Sequence, residues 1–585
     1  MSSQQLITEH IDLWTSTIKA KKTQGRGSNK KRELYGIKKL RELILELAVR
    51  GKLVPQDPSD EPASVLLERI AAEKAQLIRD KKIKKQKALP EITDDEKPFS
   101  LPKAWEWTQL GQVSEIAPRN NLENDLEVGF VPMPMISTSY KGDHKQEVKI
   151  WSEIKKGYTH FANGDIGLAK ITPCFENSKA AVFRNLKNGY GAGTTELHIA
   201  RPISGTINTL FILLYLKAPM FLEKGKPKMT GSAGQKRIPN DFFSGNPLPF
   251  PPLAEQHRIV TKVDKLMALC DQLEQQTESS LDAHKLLVDT LLSTLTDARN
   301  ANELSDNWTR IANHFDTLIT TDYAVEQLKQ TILQLAVMGK LIPQNPNDEP
   351  ASKLLKRIAV EKEQLVKDKK IKKQNPLPEI TVEEKPFELP EGWEWCRLPD
   401  IGDLARGKSK HRPRNDPSLY LGGTIPLVQT GDVSRANGVI ETYTALYNET
   451  GLAQSKLWPK GTMCITIAAN IADTSILGFD ACFPDSVVGY TPFDEKINVK
   501  YFEFFIRTAK NHLEEYAPST AQKNINLEIL SQLLVPCPPF KEISRIVAKV
   551  DELMSLCDQL KTQLNDAQTT QLHLSDAVVK NALTS

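Results

Sequence analysis

The chain has 585 residues, 40% of them hydrophobic and 25% charged, with a formal net charge of +3, which fits a globular protein of about four domain-sized units. No run approaches the roughly 18 apolar residues of a membrane helix, and residues 1–14 carry acidic side chains where a secretion signal needs a compact apolar core. Seven cysteines without a C-x-x-C pair argue against a disulfide framework or a zinc ribbon and fit a reducing cytoplasm.

In chain order, residues 19–32 form a basic arm interrupted by glycine. A helix is expected from Pro62, where proline suits a first turn, through Leu67, Ile70 and Leu77 to the lysines at Lys81–Lys85, which would complement its dipole in the last turn. Pro90, Pro98 and Pro102 mark a linker. Between residues 107 and 249 the pattern changes to short β-like runs, 165–172 and 180–183, with one helical stretch at 208–217. Ile259, Val263, Leu266, Cys270 and Leu273 then step by four, three, four and three, an a/d seam for coiled-coil packing that places Cys270 in the seam as a packing residue.

From there the chain repeats itself. Residues 40–110 align without gaps onto 328–398, with 48 of 71 positions identical. The shared blocks include LAV-x-GKL from Leu47 and Leu335, DEPAS from Asp60 and Asp348, and DKKIKKQ from Asp80 and Asp368. LPEIT from Leu89 and Leu377 and W-E-W from Trp105 and Trp393 complete them. The seam recurs at Ile546, Val550, Leu553, Cys557 and Leu560. The middle segment 395–536, with β-like runs at 424–429 and 463–468 and a helix at 499–512, barely resembles 107–249. Both middles read as α+β domains on a twisted antiparallel or mixed sheet. Surfaces kept alike point to one partner met twice, and diverged surfaces to two different targets. The alternative is likeness kept for packing, although cores tolerate hydrophobic swaps freely and the exposed DKKIKKQ run also matches.

Three motifs fail on their context. GDLARGKS from Gly402 matches the phosphate-loop pattern, but Pro413 and Pro417 follow where a helix must open at Lys408. Pro484-Asp485 with Asp494-Glu495-Lys496 spells a loose metal-nuclease pattern that Pro492 breaks. Cys537 stands before Pro538-Pro539-Phe540 where an amino-methyltransferase needs Asn or Asp, and no glycine-rich cofactor loop accompanies it. No catalytic residue, metal site or cofactor site is assigned.

The basic residues give the candidate contacts. Arg406, Lys408, Lys410, Arg412 and Arg414 alternate, so an extended chain would line all five along one edge, suited to phosphates and guanine edges; otherwise they form a solvated loop. Gln235-Lys236-Arg237-Ile238 and Gln522-Lys523-Asn524-Ile525 occupy equivalent places near the domain ends, where Gln and Asn can bond adenine and Lys and Arg reach guanine or phosphate. Ordering of the last strand is the competing use of those turns. Lys170, in the run 165–172, completes the DNA-facing candidates.

With its doubled LAV-x-GKL-x-PQ and DEPAS, its proline-rich exits 247–258 and 536–545, and the Gln-Lys-x-Ile turns before them, the chain resembles the specificity subunit of type I restriction-modification systems, in the long-chain subfamily with an N-terminal arm. Gly164-Asp165-Ile166 and Gly193-Thr194-Thr195-Glu196 look like that family's first-domain motifs, and the second domain has no clear Gly-Thr-Thr-Glu counterpart. The resemblance implies an arm and first spacer at 1–100, target-recognition domains at 101–250 and 391–538, a central spacer at 251–390 and a last helix at 539–585.

It also implies that each recognition domain reads one half of a split, asymmetric double-stranded DNA site. The partners would be two adenine-N6 methyltransferase subunits using S-adenosylmethionine, and restriction subunits using ATP and Mg. The leading helix of one repeat would pack with the trailing helix of the other. A helix over 62–86 would span about 37 Å, close to the roughly 34–36 Å between half-sites one DNA turn apart. The rival expectation is a helical scaffold that binds DNA weakly and without sequence preference.

Overall fold

The computed structural model describes every residue except 1–6, 21–31, 233, 374–375, 437, 469, 516–524 and 585. The chain folds as two compact units, Met1–Ser280 with Ala567–Ser585, and Leu281–Asp566. Within each unit the helical segments and part of the middle domain share a core. In the first, Ile37, Leu40 and Leu43 of one helix belong to the same buried cluster as Leu168, Phe175 and Phe211 of the middle domain.

In the first unit the helix Tyr35–Val49 buries Ile37, Leu40, Leu43, Ile44, Leu47 and Ala48 along one stripe. It ends at Gly51, whose φ is +69 and whose Cβ position lies 2.6 Å from Pro102 Cγ, so the glycine of LAV-x-GKL is required twice over. Gly339 repeats both features, with φ +69 and Pro390 Cγ at 2.5 Å. The next helix runs over Ala63–Arg79 and buries Ala63, Leu66 and Ile70.

That helix is shorter than expected. Its 17 residues span about 26 Å, so the match to a DNA turn does not hold. The lysines are not in its last turn: Lys81 takes φ 55, and the amides of Lys81 and Lys82 bond back to Ile78 and Leu77 carbonyls, which closes the helix. The helix Ala351–Lys367 ends in the same way at Lys369, φ 57.

The mixed-sheet expectation for the middle domains is met by two sheets in each. The first domain has Glu147–Ile150, Glu127–Val131, Tyr190–Gly193 and Thr159–Ala162 in that order, with a parallel central pair. Its second sheet, Ser114–Ile116, Leu197–Pro202, Ile166–Ala169 and Ala180–Val182, is antiparallel throughout. The second domain orders Gly402–Arg406, Val487–Pro492, Met463–Thr466, Thr474–Leu477 and Val439–Ile440 in one sheet, with four strands in the other. A two-stranded ribbon closes each domain, Glu106–Gln109 against Pro247–Phe250 and Glu394–Arg397 against Leu534–Cys537. The late helices are Thr209–Lys217 and Lys500–Glu515.

The trailing helices, Leu253–Asp297 and Phe540–Thr584, have 45 residues each. Ile259, Val263, Leu266, Cys270 and Leu273 are all buried, as the seam required. They lie in the core of the first unit, whereas Val288, Leu292 and Leu295 of the same helix lie in that of the second. The end of the other trailing helix returns to the first unit: Ser575 Oγ lies 3.0 Å from Thr17 Oγ1, and Tyr35 donates to Asp576 at 2.9 Å. The helix Tyr35–Val49 thus meets its own trailing helix through Arg41 and Asp271 and the end of the other through Tyr35, and Asp322–Val337 does the same through Lys329 with Asp558 and Tyr323 with Asp289; these helices precede the ones expected to make that contact.

One clamp recurs in both units. Arg258 holds Asp60 of the first DEPAS at 2.6 Å, and Arg545 holds Asp348 of the second at 2.5 Å. Beside them, Glu255 accepts from Trp105 Nε1 at 3.0 Å and Gln56 at 2.7 Å, and Glu542 accepts from Trp393 Nε1 at 3.2 Å. Burial raises both carboxyl pKa values, against these hydrogen bonds. Replacing Trp105 with Ala is expected to destabilise the first unit by about 3–5 kcal/mol in urea unfolding, and Trp393→Ala the second by as much. A loss at one site alone would show that the two clamps are not equivalent.

Candidate nucleic-acid interface

In the first domain three segments meet at the end of the strand Ile166–Ala169. The Lys170 amide donates to the Glu196 carbonyl at 2.9 Å, and the Ile238 amide to the Lys170 carbonyl at 2.8 Å. Thr172 and Lys236 are joined by three bonds: the Thr172 amide and hydroxyl donate to the Lys236 carbonyl at 2.9 and 3.4 Å, and the Lys236 amide donates to Thr172 Oγ1 at 3.1 Å. The loop between is closed by paired Thr230 and Arg237 and turned by Gly231 and Gly234, both at positive φ. Gln235 and Lys236 are exposed on it. Lys170, Gln235, Lys236 and Arg237, far apart in sequence, therefore form one cluster.

Arg237 is not a free donor. Its guanidinium grips the Glu196 carboxylate through Nε and Nη2 at 2.8–3.2 Å, and Arg237 holds that carboxyl pKa below its ordinary value. The acid of Gly-Thr-Thr-Glu thus fixes the loop that displays Gln235 and Lys236. Asp165, of Gly164-Asp165-Ile166, is buried and pairs with Arg201 at 2.7 Å, while Asn120 accepts from the same guanidinium at 2.9 Å. Lys217 is buried, its ammonium on the Ser178 carbonyl at 2.7 Å, and desolvation brings its pKa down to about 7.

The second domain repeats the frame with other residues. The Ile467 amide donates to the Ser486 carbonyl at 3.0 Å and the Ile525 amide to the Ile467 carbonyl at 3.0 Å, as Lys170 and Ile238 do in the first domain. Ile238 and Ile525 are both buried, so the isoleucine of each Gln-Lys-x-Ile turn orders a strand end. Gln522, Lys523 and Asn524 themselves lie outside the described residues. Asp485 sits one residue before the counterpart of Glu196 and grips Arg414 through both oxygens at 2.6 and 2.8 Å. The missing Gly-Thr-Thr-Glu acid is supplied here by a residue that the sequence showed only as a failed nuclease motif.

Only part of the alternating row is a row. Arg406, Lys408 and Lys410 are exposed, with Gly407 and Ser409 buried between them. Gly407 has no room for a side chain, since the Phe483 and Pro484 carbonyls crowd the place its Cβ would take. Beyond Lys410 the chain folds back: Arg412 and Arg414 turn onto Asp485, and the Arg406 Nε donates to the Asp485 carbonyl at 2.9 Å. No helix opens at Lys408, which leaves GDLARGKS without phosphate-loop geometry; Gly402–Arg406 is a strand paired with Val487–Pro492. Asp485 is occupied by arginines, and Cys537 is buried in the closing ribbon.

The chain is similar to known proteins over its whole length. The family described as the type I restriction modification DNA specificity domain matches residues 102–283 and 390–567. The EcoAI specificity subunit of a type I restriction enzyme from Escherichia coli is 51% identical over the whole of both chains. The EcoEI specificity subunit from the same organism is 49% identical, again over both full lengths. Among solved structures, the HsdS subunit from Thermoanaerobacter tengcongensis matches 83% of this chain and 98% of its own at 18% identity, with a TM-score of 0.44.

Two outcomes test the buried charges of the first domain. Asp165→Ala, which strands Arg201, is expected to cost about 3–5 kcal/mol, with recovery in Asp165→Leu/Arg201→Met, read by urea unfolding. Lys217 binds its proton less readily folded than unfolded, so its penalty is complete below about pH 7 and fades as pH rises toward the ordinary lysine value. Lys217→Met should therefore gain stability over the parent near pH 7 and lose that advantage near pH 10; a pH-independent difference would contradict the assignment.

Proposed function

The chain belongs to the type I restriction-modification DNA specificity family, and on that premise we propose that its two readers recognise the two halves of one split, asymmetric DNA site. The supporting observation is the contrast within the molecule. Both units carry the same clamp, and in each an acid before the equivalent strand holds an arginine, yet the exposed side chains differ where both can be compared: Arg406, Lys408 and Lys410 are exposed in the second unit, and the places 288 residues earlier hold Pro118, Asn120 and Leu122, none of them exposed.

In this reading Gln235 and Lys236 face base edges, and Arg406, Lys408 and Lys410 face phosphates and guanine. Lys170, Arg237, Arg412 and Arg414 border the same surfaces and hold their shape, and Gln522, Lys523 and Asn524 are assigned the place of 235–237 in the second reader. The chain is a DNA-recognition subunit and supplies no chemistry of its own. Two adenine-N6 methyltransferase subunits with S-adenosylmethionine, and restriction subunits with ATP and Mg, act on the DNA it selects in the cytoplasm. No described helix is long and apolar enough to cross a membrane.

Exchanging residues 395–536 for those of a relative is expected to change one half-site and leave the other and the gap intact, as mapped from methylated adenines in cells carrying the partner methyltransferase. A change in both half-sites would refute separate reading. Lys408→Ala/Lys410→Ala should weaken binding and lower the log–log salt slope by about 0.9 for each phosphate no longer neutralised. An unchanged slope would make the row a solvated loop.

A further inference from the structure

One exposed part of the repeat, the DKKIKKQ run, is not used by the internal clamp. In DKKIKKQ, Lys81, Lys82, Lys84 and Lys85 are exposed around half-buried Ile83, and Lys369, Lys370, Lys372 and Lys373 repeat the pattern around Ile371. Their acidic neighbours do not neutralise them: Lys82 lies 4.0 Å from Asp80, and the second set has no ion pair among the described residues. The helix stop adds a second observation. Lys81 and Lys369 occupy the left-handed position that closes the helix, where glycine is the least strained residue. A lysine kept there in both repeats, against backbone preference, is a side chain in use. The first loop is also tied to its reader, through Gln86 Nε2 on the Ile116 carbonyl at 3.0 Å.

We propose that the two DKKIKKQ loops are twin, sequence-independent grips on the DNA phosphate backbone, one beside each reader. The reasoning rests on the split-site reading above. Bases differ between half-sites and the exposed reader residues differ with them, whereas phosphates are the same at both and so are these loops. The chemistry favours phosphate over a protein partner: lysine is depleted from protein interfaces, and no fully exposed apolar side chain accompanies the lysines. Flexible ammonium groups suit a backbone whose phosphates they need only approach.

The test uses the full chain, a duplex bearing its mapped site and a duplex with that site scrambled. Lys82→Gln/Lys84→Gln/Lys85→Gln with Lys370→Gln/Lys372→Gln/Lys373→Gln should weaken both duplexes by the same factor. The log–log salt slope should fall by about 0.9 for each phosphate released, with the preference for the mapped site kept. Lys81→Gly/Lys369→Gly should lower affinity in the same sense while the melting temperature holds or rises, which separates a weakened grip from a damaged fold. Unchanged affinity and slope in variants that still select the mapped site would overturn the loops' role and leave the split-site reading standing. Loss of methyltransferase capture with DNA binding unchanged would also overturn it, in favour of a protein partner at the loops. A parent chain that does not distinguish the two duplexes would remove the functional reading and this proposal with it.

Discussion

A buried acid at the start of each trailing helix sets the architecture. Glu255 and Glu542 are out of water beside a tryptophan and a glutamine, and one turn on, Arg258 and Arg545 reach back to the aspartate of DEPAS. A buried carboxylate keeps its charge only with such partners, and breaking a desolvated pair from one side is costly. These interactions gather the leading helices, the closing ribbon and the trailing helix of each repeat at one place. Part of the identity between repeats is used here, in the aspartate of DEPAS, in the Gln of PQ and in the first Trp of W-E-W. Packing therefore accounts for part of the likeness. What it leaves over is the lysine run.

The same economy holds in the readers. A strand that must end in the open needs its last amides and carbonyls satisfied. Lys170 and Ile467 do this through the same two bonds, to the neighbouring strand and to the incoming isoleucine. An acid at the head of that neighbouring strand then holds an arginine, Glu196 with Arg237 and Asp485 with Arg414. Once the frame is satisfied internally, the side chains beside it are free to differ. A family of readers can change what it exposes without changing what it stands on.

The sequence displayed whatever is periodic or repeated. The seam from Ile259 to Leu273, the late helices and the short strands around 166–169 and 463–466 follow from spacing and composition. The end of the leading helix was hidden, because lysines and glutamines continue a helical pattern and the stop at Lys81 is a left-handed residue that is not glycine. The failure of the five-residue row was hidden too. Its cause, Asp485, is distant in sequence and reaches Arg412 and Arg414 only through the fold. Glu196 was visible as a motif letter but not as the partner of Arg237, for the same reason.

The central claim is that one chain carries two separate readers on a shared frame. Hydroxyl-radical footprinting of the full chain on its mapped site measures this directly. The account predicts two protected blocks, one on each side of a gap whose bases can be changed without loss of binding. A single continuous block whose every base matters would contradict it.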